Sequence, residues 1–538
     1  MADERAALER LCRRFGIATD YHDIRGARHD APTDNLLALL ASFDIDASSP
    51  AQIAKAARDA DAAYWRELLP PVAAVEADDV AAAVPLRLPL AMQRSRIAWS
   101  LEEEGGTVHR GECDANALPR RAHQDDGHAQ GQDAGGAVEC LLSPGLALPA
   151  GYHRLHIDGV VGATLIVAAP ARCWRPPALE GDGRVFGPAV QLYALRSGDN
   201  WGIGDFSDLA RLVEQWGARG AGIVGLNPLH ALFGHNPAHI SPYSPSSRQH
   251  LNPIYIDVEA VAELRHCEHA QKHVRWGGFQ ARLARLRATE RVDYVGVAAA
   301  KREVLALLYA HFRSHGLGTN SERAHAFRSF QREGGRELRR FGLFEAIQAR
   351  LHAEDASVWG WPVWPEPWRD PEGATVMRFA EAHLDEVEFH EYLQWIAEEQ
   401  LDRARAHADA RGMAVGLYLD LAVSVDRAGA DAWSHAATYA LEASVGAPPD
   451  DFNQQGQAWG LPPLRPDRLR ASGYRVVIET LRANMRQAGA LRIDHVMGLM
   501  RLFWIPPGKS ACEGAYVHYR ADELLAIVAL ESHRNRCM

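Results

Sequence analysis

The chain has 538 residues, 47% of them apolar and 24% charged, with a formal net charge of −11. That length exceeds one ordinary domain and predicts roughly two to four, while the apolar share excludes global disorder. An acidic balance with no Lys/Arg block excludes a nucleic-acid groove and disfavours an anionic substrate, so a neutral one fits better.

The opening stretch MADERAALERLCRRFG is charged from its third residue and predicts no secretory signal. No run of about eighteen apolar residues occurs, so no membrane contact is expected. The cysteines Cys12, Cys113, Cys140, Cys173, Cys267, Cys512 and Cys537 are odd in number and scattered. With no CxxC or HExxH pair, they predict reduced thiols in a cytoplasmic protein. Residues 1–70 read as a helical segment, because DNLLALLASFDI and AQIAKAARDADAAYWRELL carry apolar residues at i, i+3 and i+4. From 71 to 180 short strand-like pieces alternate with turns (AAVPLRLPLAM, SRIAWSLEEEGG, GYHRLHIDG, GATLIVAAP), which predicts a small antiparallel β-sandwich. Within it, RRAHQDDGHAQGQDAGG is polar and Gly-rich and predicts a solvated loop. ARCWRPPALEGDGRVFG reads as a linker.

A third texture covers 185–538. The runs AGIVGLNPL (221–229), MAVGLYLDL (413–421) and GALRIDHV (489–496) show little polar alternation, the pattern of strands buried on both faces of a parallel sheet. FSDLARLVEQWGARG and YRVVIETLRANMRQAG are helical, and each precedes such a run. The class is therefore α/β, with a TIM-type β/α barrel predicted and a largely helical insertion over about 258–410. In such a barrel the chemistry stands at the C-terminal strand ends, where Asn227, His230, Asp420 and Asp494 fall.

In the stretch Arg492-Ile493-Asp494, residues two apart on a strand project the same way, so the Arg492 guanidinium can donate to the Asp494 carboxylate and orient it. An oriented carboxylate is what a nucleophile requires. A structural ion pair at a strand end is the alternative, and the stretch alone leaves both open. AHISPYSPSSRQHLNPIYIDV (238–258) offers proline-stiffened backbone, serine hydroxyls and the Tyr243 ring, a surface suited to sugar as well as to an ordinary ordered loop. PPDDFNQQGQAWGLPP (448–463) is an amide- and glycine-rich loop around Trp459, of the kind that lines barrel mouths. The tryptophan-rich WGWPVWPEPW (359–368) reads as packing, and SGDNWGIGDFSDL (197–209) as a loop entering a helix capped at Ser207. No metal or phosphate motif is present.

Four of these stretches, LYALRSGDNWGIGDFSDLARLV, SPYSPSSRQHLNPIYID, DDFNQQGQAWGLPPL and LRIDHVMGL, resemble in order and spacing the amylomaltases, the 4-α-glucanotransferases of glycoside hydrolase family 77. The resemblance covers about 185 to 530, and the segments before it look like the N-terminal extension of longer bacterial members. It implies a (β/α)8 barrel that cuts an α-1,4-glucan and passes the fragment to the 4-hydroxyl of another glucan, with maltooligosaccharides as partners and no cofactor or metal. It implies Asp494 as nucleophile, Arg492 as the residue that orients it, and His495 lining the site. Asp420, Tyr243 and Ser241 would contact the sugar, with Trp459 and Gly456 in a loop arching over the groove. Val496 and Met497 depart from the aromatic and basic pair usual after the nucleophile's histidine.

A retaining transfer needs a second carboxyl group about 5 Å from the first. The family's acid/base glutamate in an EDLG-type stretch, and its third aspartate in an HD pair, have no counterpart here. RADELLAIVALESHRN reads as a helix leading to a further strand, and Glu523 and Glu531 on it are expected to face the barrel's outside. The expectation is an incomplete barrel whose Asp494 strand is an open, association-prone edge, with little turnover by this chain alone. Two other readings stay open: a non-catalytic α-glucan-binding protein, and a hydrolase of the α-amylase clan. Oligomeric state is not legible.

Overall fold

The three apolar runs pair as parallel strands in the computed structural model, which describes residues 2–23, 25–89, 92, 95–121 and 137–538. Ala189–Val190, Ile223–Leu226, Gly416–Leu421 and Ala490–Ile493 lie side by side in that order. Leu417, Leu419 and Leu421 are buried, and so is Asp420 between them, which fits a strand covered on both faces. Ala490–Ile493 departs from that expectation. Arg492 is exposed, and Leu491 and Ile493 are half-buried. The strand is at the sheet's edge, where side chains have cover from one lateral neighbour only. Beside it, Met538 N donates to Gly489 O at 2.9 Å and Met538 O accepts from Leu491 N at 2.8 Å, the bonding pattern of a parallel pair.

The described chain forms two compact units. One comprises Met1–Trp174, Ala437–Leu481 and His495–Asn535. Its helices Ala2–Arg14, Thr33–Ala41 and Pro50–Arg66 bear out the apolar periodicity of that segment, and Ser49 caps the last by accepting from Gln52 N. A five-stranded sheet follows the order Val72–Glu76, Thr164–Ala169, Gly151–Ile157, Arg96–Glu102, Val108–Asp114. A second sheet pairs Val84–Pro89 with Ala137–Leu142. Leu86, Leu142, Leu101, Leu155 and Ile166 from both sheets share one core, as in a sandwich. The sandwich is mixed rather than wholly antiparallel: Val72–Glu76 and Thr164–Ala169 run parallel. They are joined through the intervening strands and not by a hairpin, so no turn imposes the opposite sense. The polar stretch predicted as a loop lies, from 122 to 136, outside the described residues.

The same unit holds an antiparallel sheet that the sequence reading does not foresee, ordered Gln457–Ala458, Ser444–Ala447, Arg501–Ile505, Ala515–His518. Ala521–Asn535 is helical, as its sequence predicts. Glu523 and Glu531 on that helix are buried within the unit, Glu523 accepting from Arg470 and Tyr474 and Glu531 from the Tyr152 hydroxyl.

The second unit comprises Arg175–Ala436, Arg482–Asp494 and Arg536–Met538 and contains the parallel sheet. Its helix Phe206–Gly217 is capped by Asp205 and not by Ser207. Asp205 and Asp208 exchange side-chain-to-backbone hydrogen bonds in a capping box, which satisfies two orphan N–H groups where a Ser207 cap would satisfy one. Long helices Tyr294–His311, Glu322–Glu354 and Leu384–Ala410 make up much of 258–410. Of the clustered tryptophans, Trp364 is packing as predicted: it is fully buried against Phe344 and Trp433, with ring centroids 5.4 and 5.7 Å away. Among the described residues no helix is long and apolar enough to cross a membrane. The seven cysteines are free thiols.

Candidate active site

The register of the parallel sheet sets the site. Asp420 is the direct partner of Arg492 across the pair Gly416–Leu421 and Ala490–Ile493, so their side chains leave the same face next to each other. Arg492 Nη1 donates to Asp420 Oδ1 and Oδ2 at 2.7 and 2.8 Å, and Nη2 donates to Asp494 Oδ1 at 2.7 Å. Asp494 follows the strand's last residue and is tied back by its own N–H, which donates to Leu421 O at 3.0 Å. The two carboxylates beside Arg492 raise its affinity for its proton, the Asp420 hydrogen bonds first.

Tyr243 completes the group. Its hydroxyl donates to Asp420 Oδ2 at 2.9 Å, and the residue is 41% exposed. Burial of the hydroxyl, then the hydrogen bond to Asp420, pushes the Tyr243 pKa up. The Tyr243 loop is pinned from several sides. Ser244 Oγ donates to Asp426 Oδ2 at 3.0 Å, and Arg248 Nη1 donates to the carbonyls of Ala422 and Val423, both at 3.0 Å. From the helix Leu384–Ala410, the Gln394 amide bonds both the N–H and the C=O of Leu251, and Gln400 does the same to Asp257, each at 2.8 Å. Such amide clamps close the backbone groups of an irregular segment without a strand partner.

The structure thus brings together Asp494, Arg492, Asp420 and Tyr243. Ser241, two residues ahead of Tyr243, is exposed in the same loop and makes no bond to the carboxylates. His230 is buried, its Nε2 accepting from Ala422 N at 3.2 Å, and Asn227 is buried with Oδ1 accepting from Leu192 N. Both brace strand ends. The remaining predicted residues belong to the first unit. His495 has left-handed backbone, φ +49°, and its ring meets Trp459 edge-on at 5.1 Å between centroids. Trp459 is half-buried, not exposed. Gly456 has φ +68°, and a Cβ there would lie 2.8 Å from Ala447 O, so the turn requires glycine. The sequence reading missed Arg248 and Asp426. Arg248 lies inside the quoted serine–proline stretch, and a lone arginine among serines was the signal available.

Comparison with known proteins bears on the same region. The family profile described as 4-alpha-glucanotransferase, Glyco_hydro_77, matches residues 190–538, and one described as the MalQ N-terminal beta sandwich domain matches 68–170. The 4-alpha-glucanotransferase of Haemophilus influenzae is 41% identical over 396 residues, 73% of this chain and 56% of that protein. That of Mycobacterium bovis is 37% identical over 557 residues, 99% of this chain and 71% of that protein. The crystal structure of amylomaltase from Corynebacterium glutamicum superposes with a TM-score of 0.80 at 31% identity, covering 99% of this chain and 71% of that one. The chain therefore spans between about half and three quarters of the length of these relatives. An arginine bridging two aspartates at parallel strand ends, a tyrosine on the first of them, Asp420, and a sandwich ahead of the sheet all fall inside these matches, and the chain belongs to the 4-α-glucanotransferases of glycoside hydrolase family 77.

Proposed function

We propose that the protein is a 4-α-glucanotransferase acting on maltooligosaccharides and α-1,4-glucans by retaining double displacement, and that its parallel sheet is part of a (β/α)8 barrel. The observation that carries this is the Arg492 bridge between Asp420 and Asp494 at adjacent strand ends. Asp494 attacks the anomeric carbon and holds the glucosyl fragment covalently until an acceptor 4-hydroxyl takes it. Arg492 keeps the attacking oxygen in place. Asp420 and Tyr243, with Ser241, contact the hydroxyls of the reacting sugar. Both Asp420 oxygens are engaged by Arg492 and Tyr243, so we assign this carboxylate to sugar contacts and not to proton transfer. No residue of the chain is assigned the acid/base role. The scheme uses neither metal nor cofactor, and a cytoplasmic location fits the free thiols.

A substrate whose leaving group needs no proton tests Asp494 alone. With 5-fluoro-α-D-glucosyl fluoride, fluoride departs unassisted and the ring fluorine slows the second step, so the glycosyl-enzyme accumulates. Mass spectrometry of the digested protein is expected to find the sugar on the peptide that contains Asp494, and Asp494→Asn is expected to stay unlabelled. A label on any other carboxylate, or none on the wild type, sinks the assignment.

A further inference from the structure

Tyr243 has one bond of its own to Asp420, and the rest of its placement comes through a neighbour. Among the described residues its backbone makes no hydrogen bond, and its hydroxyl bonds Asp420 alone, at 2.9 Å. Its position is therefore set at Ser244. Ser244 N donates to Ser241 O at 3.3 Å, and His239 Nε2 donates to Ser244 O at 2.9 Å, but both bonds tie the loop to itself. Ser244 Oγ is different. It donates to Asp426 Oδ2 at 3.0 Å, in the segment that follows Asp420.

Asp426 is itself fixed. Its N–H donates to Pro245 O at 2.7 Å, its Oδ1 accepts from Ala428 N at 2.9 Å, and its carbonyl accepts from Gly429 N at 2.9 Å. Ser246 Oγ accepts from Ala430 N at 3.0 Å and Ser246 O from Asp431 N at 3.1 Å, while Arg248 bonds the carbonyls of Ala422 and Val423. A Cβ at Gly429 would lie 2.5 Å from Ser246 O, so the two segments pack backbone to backbone. Residues 245–248 are thus joined to 422–431 by bonds that do not use the Asp426 side chain. That side chain extends the join to Ser244, next to Tyr243. A ring that must meet a sugar in one orientation gains from such preorganisation, because less freedom is left to lose on binding.

We propose that Asp426 is a positioning residue for Tyr243: through Ser244 it aims the ring and its hydroxyl at the place where Asp420 meets the reacting sugar. This rests on the reading that Asp494 attacks and that Tyr243 contacts the sugar; Asp426 touches neither. The backbone bonds keep the loop attached without the carboxylate, so Asp426→Ala is expected to fold.

Asp426→Ala and Ser244→Ala remove the two ends of one bond. Each is expected to slow labelling of Asp494 by the fluoroglucosyl probe several-fold, and the double variant no more than either. On a Tyr243→Ala background, Asp426→Ala is expected to change the rate by about twofold at most, whereas a residue that only supports the fold would slow labelling there just as much. Ser244→Ala keeps the carboxylate and its bond to Ala428 N, and stays decisive should Asp426→Ala melt early. A second readout needs no sugar. With 3-fluorotyrosine incorporated, the Tyr243 fluorine resonance, assigned by its absence in Tyr243→Phe, is expected to move in both variants towards that of a solvated tyrosine. An unmoved resonance, or slowing that persists on the Tyr243→Ala background, overturns the proposal. If the wild type takes no label, the glucosyl-transfer reading fails and the resonance alone decides the role of Asp426.

Discussion

Arg492 divides its donors between two carboxylates, Nη1 to Asp420 and Nη2 to Asp494. A lysine carries the charge on a single nitrogen and cannot keep that fork. Arg492→Lys is expected to slow the labelling of Asp494 by the fluoroglucosyl probe about 10- to 100-fold, roughly 1.4–2.7 kcal/mol of barrier. Tyr243→Phe removes one hydrogen bond to Asp420, worth about 1 kcal/mol, and is expected to slow labelling only several-fold. Label incorporation followed over time by mass spectrometry gives both rates; an Arg492→Lys rate equal to wild type would mean that the fork does not orient the nucleophile. These residues were legible beforehand because strand geometry alone puts Arg492 and Asp494 on one face. Arg248 and Asp426 were not. Their partners are backbone carbonyls and a serine nearly 180 residues away in sequence, a distance across which local pattern carries no information.

The helix Leu384–Ala410 does for the loop what a neighbouring strand would do. Gln394 bonds both backbone groups of Leu251, so Gln394→Leu strips a buried N–H and C=O of their partners at once. At about 1–3 kcal/mol for each group, the variant is expected to lose roughly 2–5 kcal/mol of stability. A urea titration should show that as a lower midpoint at unchanged slope. A midpoint within error of wild type would mean that water replaces the amide. That the span 258–410 is largely helical was readable, but this clamp was not, because a buried glutamine and an exposed one look alike in sequence. The same limit explains the cap: Asp205 and Ser207 both suit the position, and the reciprocal bond with Asp208 decides between them. The hairpin Arg501–Ile505 with Ala515–His518 escaped for another reason. Its apolar residues follow Asp494 so closely that they read as a continuation of the strand.

At the scale of the whole chain, the parallel sheet and the sandwich were visible as changes of texture, whereas the grouping of 437–481 and 495–535 with the N-terminal segments was not, since it rests on contacts between residues hundreds of positions apart. The pH response of stability is also a property of the whole, and it sums opposing buried groups. Burial pushes His230, His250 and His390 from 6.5 down to about 3, so the unfolded chain takes up their protons first and stability is lost as pH falls below about 6.5. Glu345 works the other way. Fully buried, with the Gly234 N–H as its hydrogen-bond donor, its carboxyl is raised from 4.5 to about 7. Between these values the folded state keeps a proton that the unfolded state has released, so this group's contribution falls as pH rises and is level above about 7. Its full span is about 3 kcal/mol. Glu345→Gln cannot ionise and removes only this component, leaving the histidines in place. The stability of the variant minus that of the wild type is therefore expected to climb by up to about 3 kcal/mol from pH 5 to 7.5 and then to hold constant, as read from urea midpoints of both proteins across that range. A difference that does not change with pH would mean that the carboxyl at 345 is already ionised in the folded protein at pH 5, with a counter-charge close enough to offset its burial.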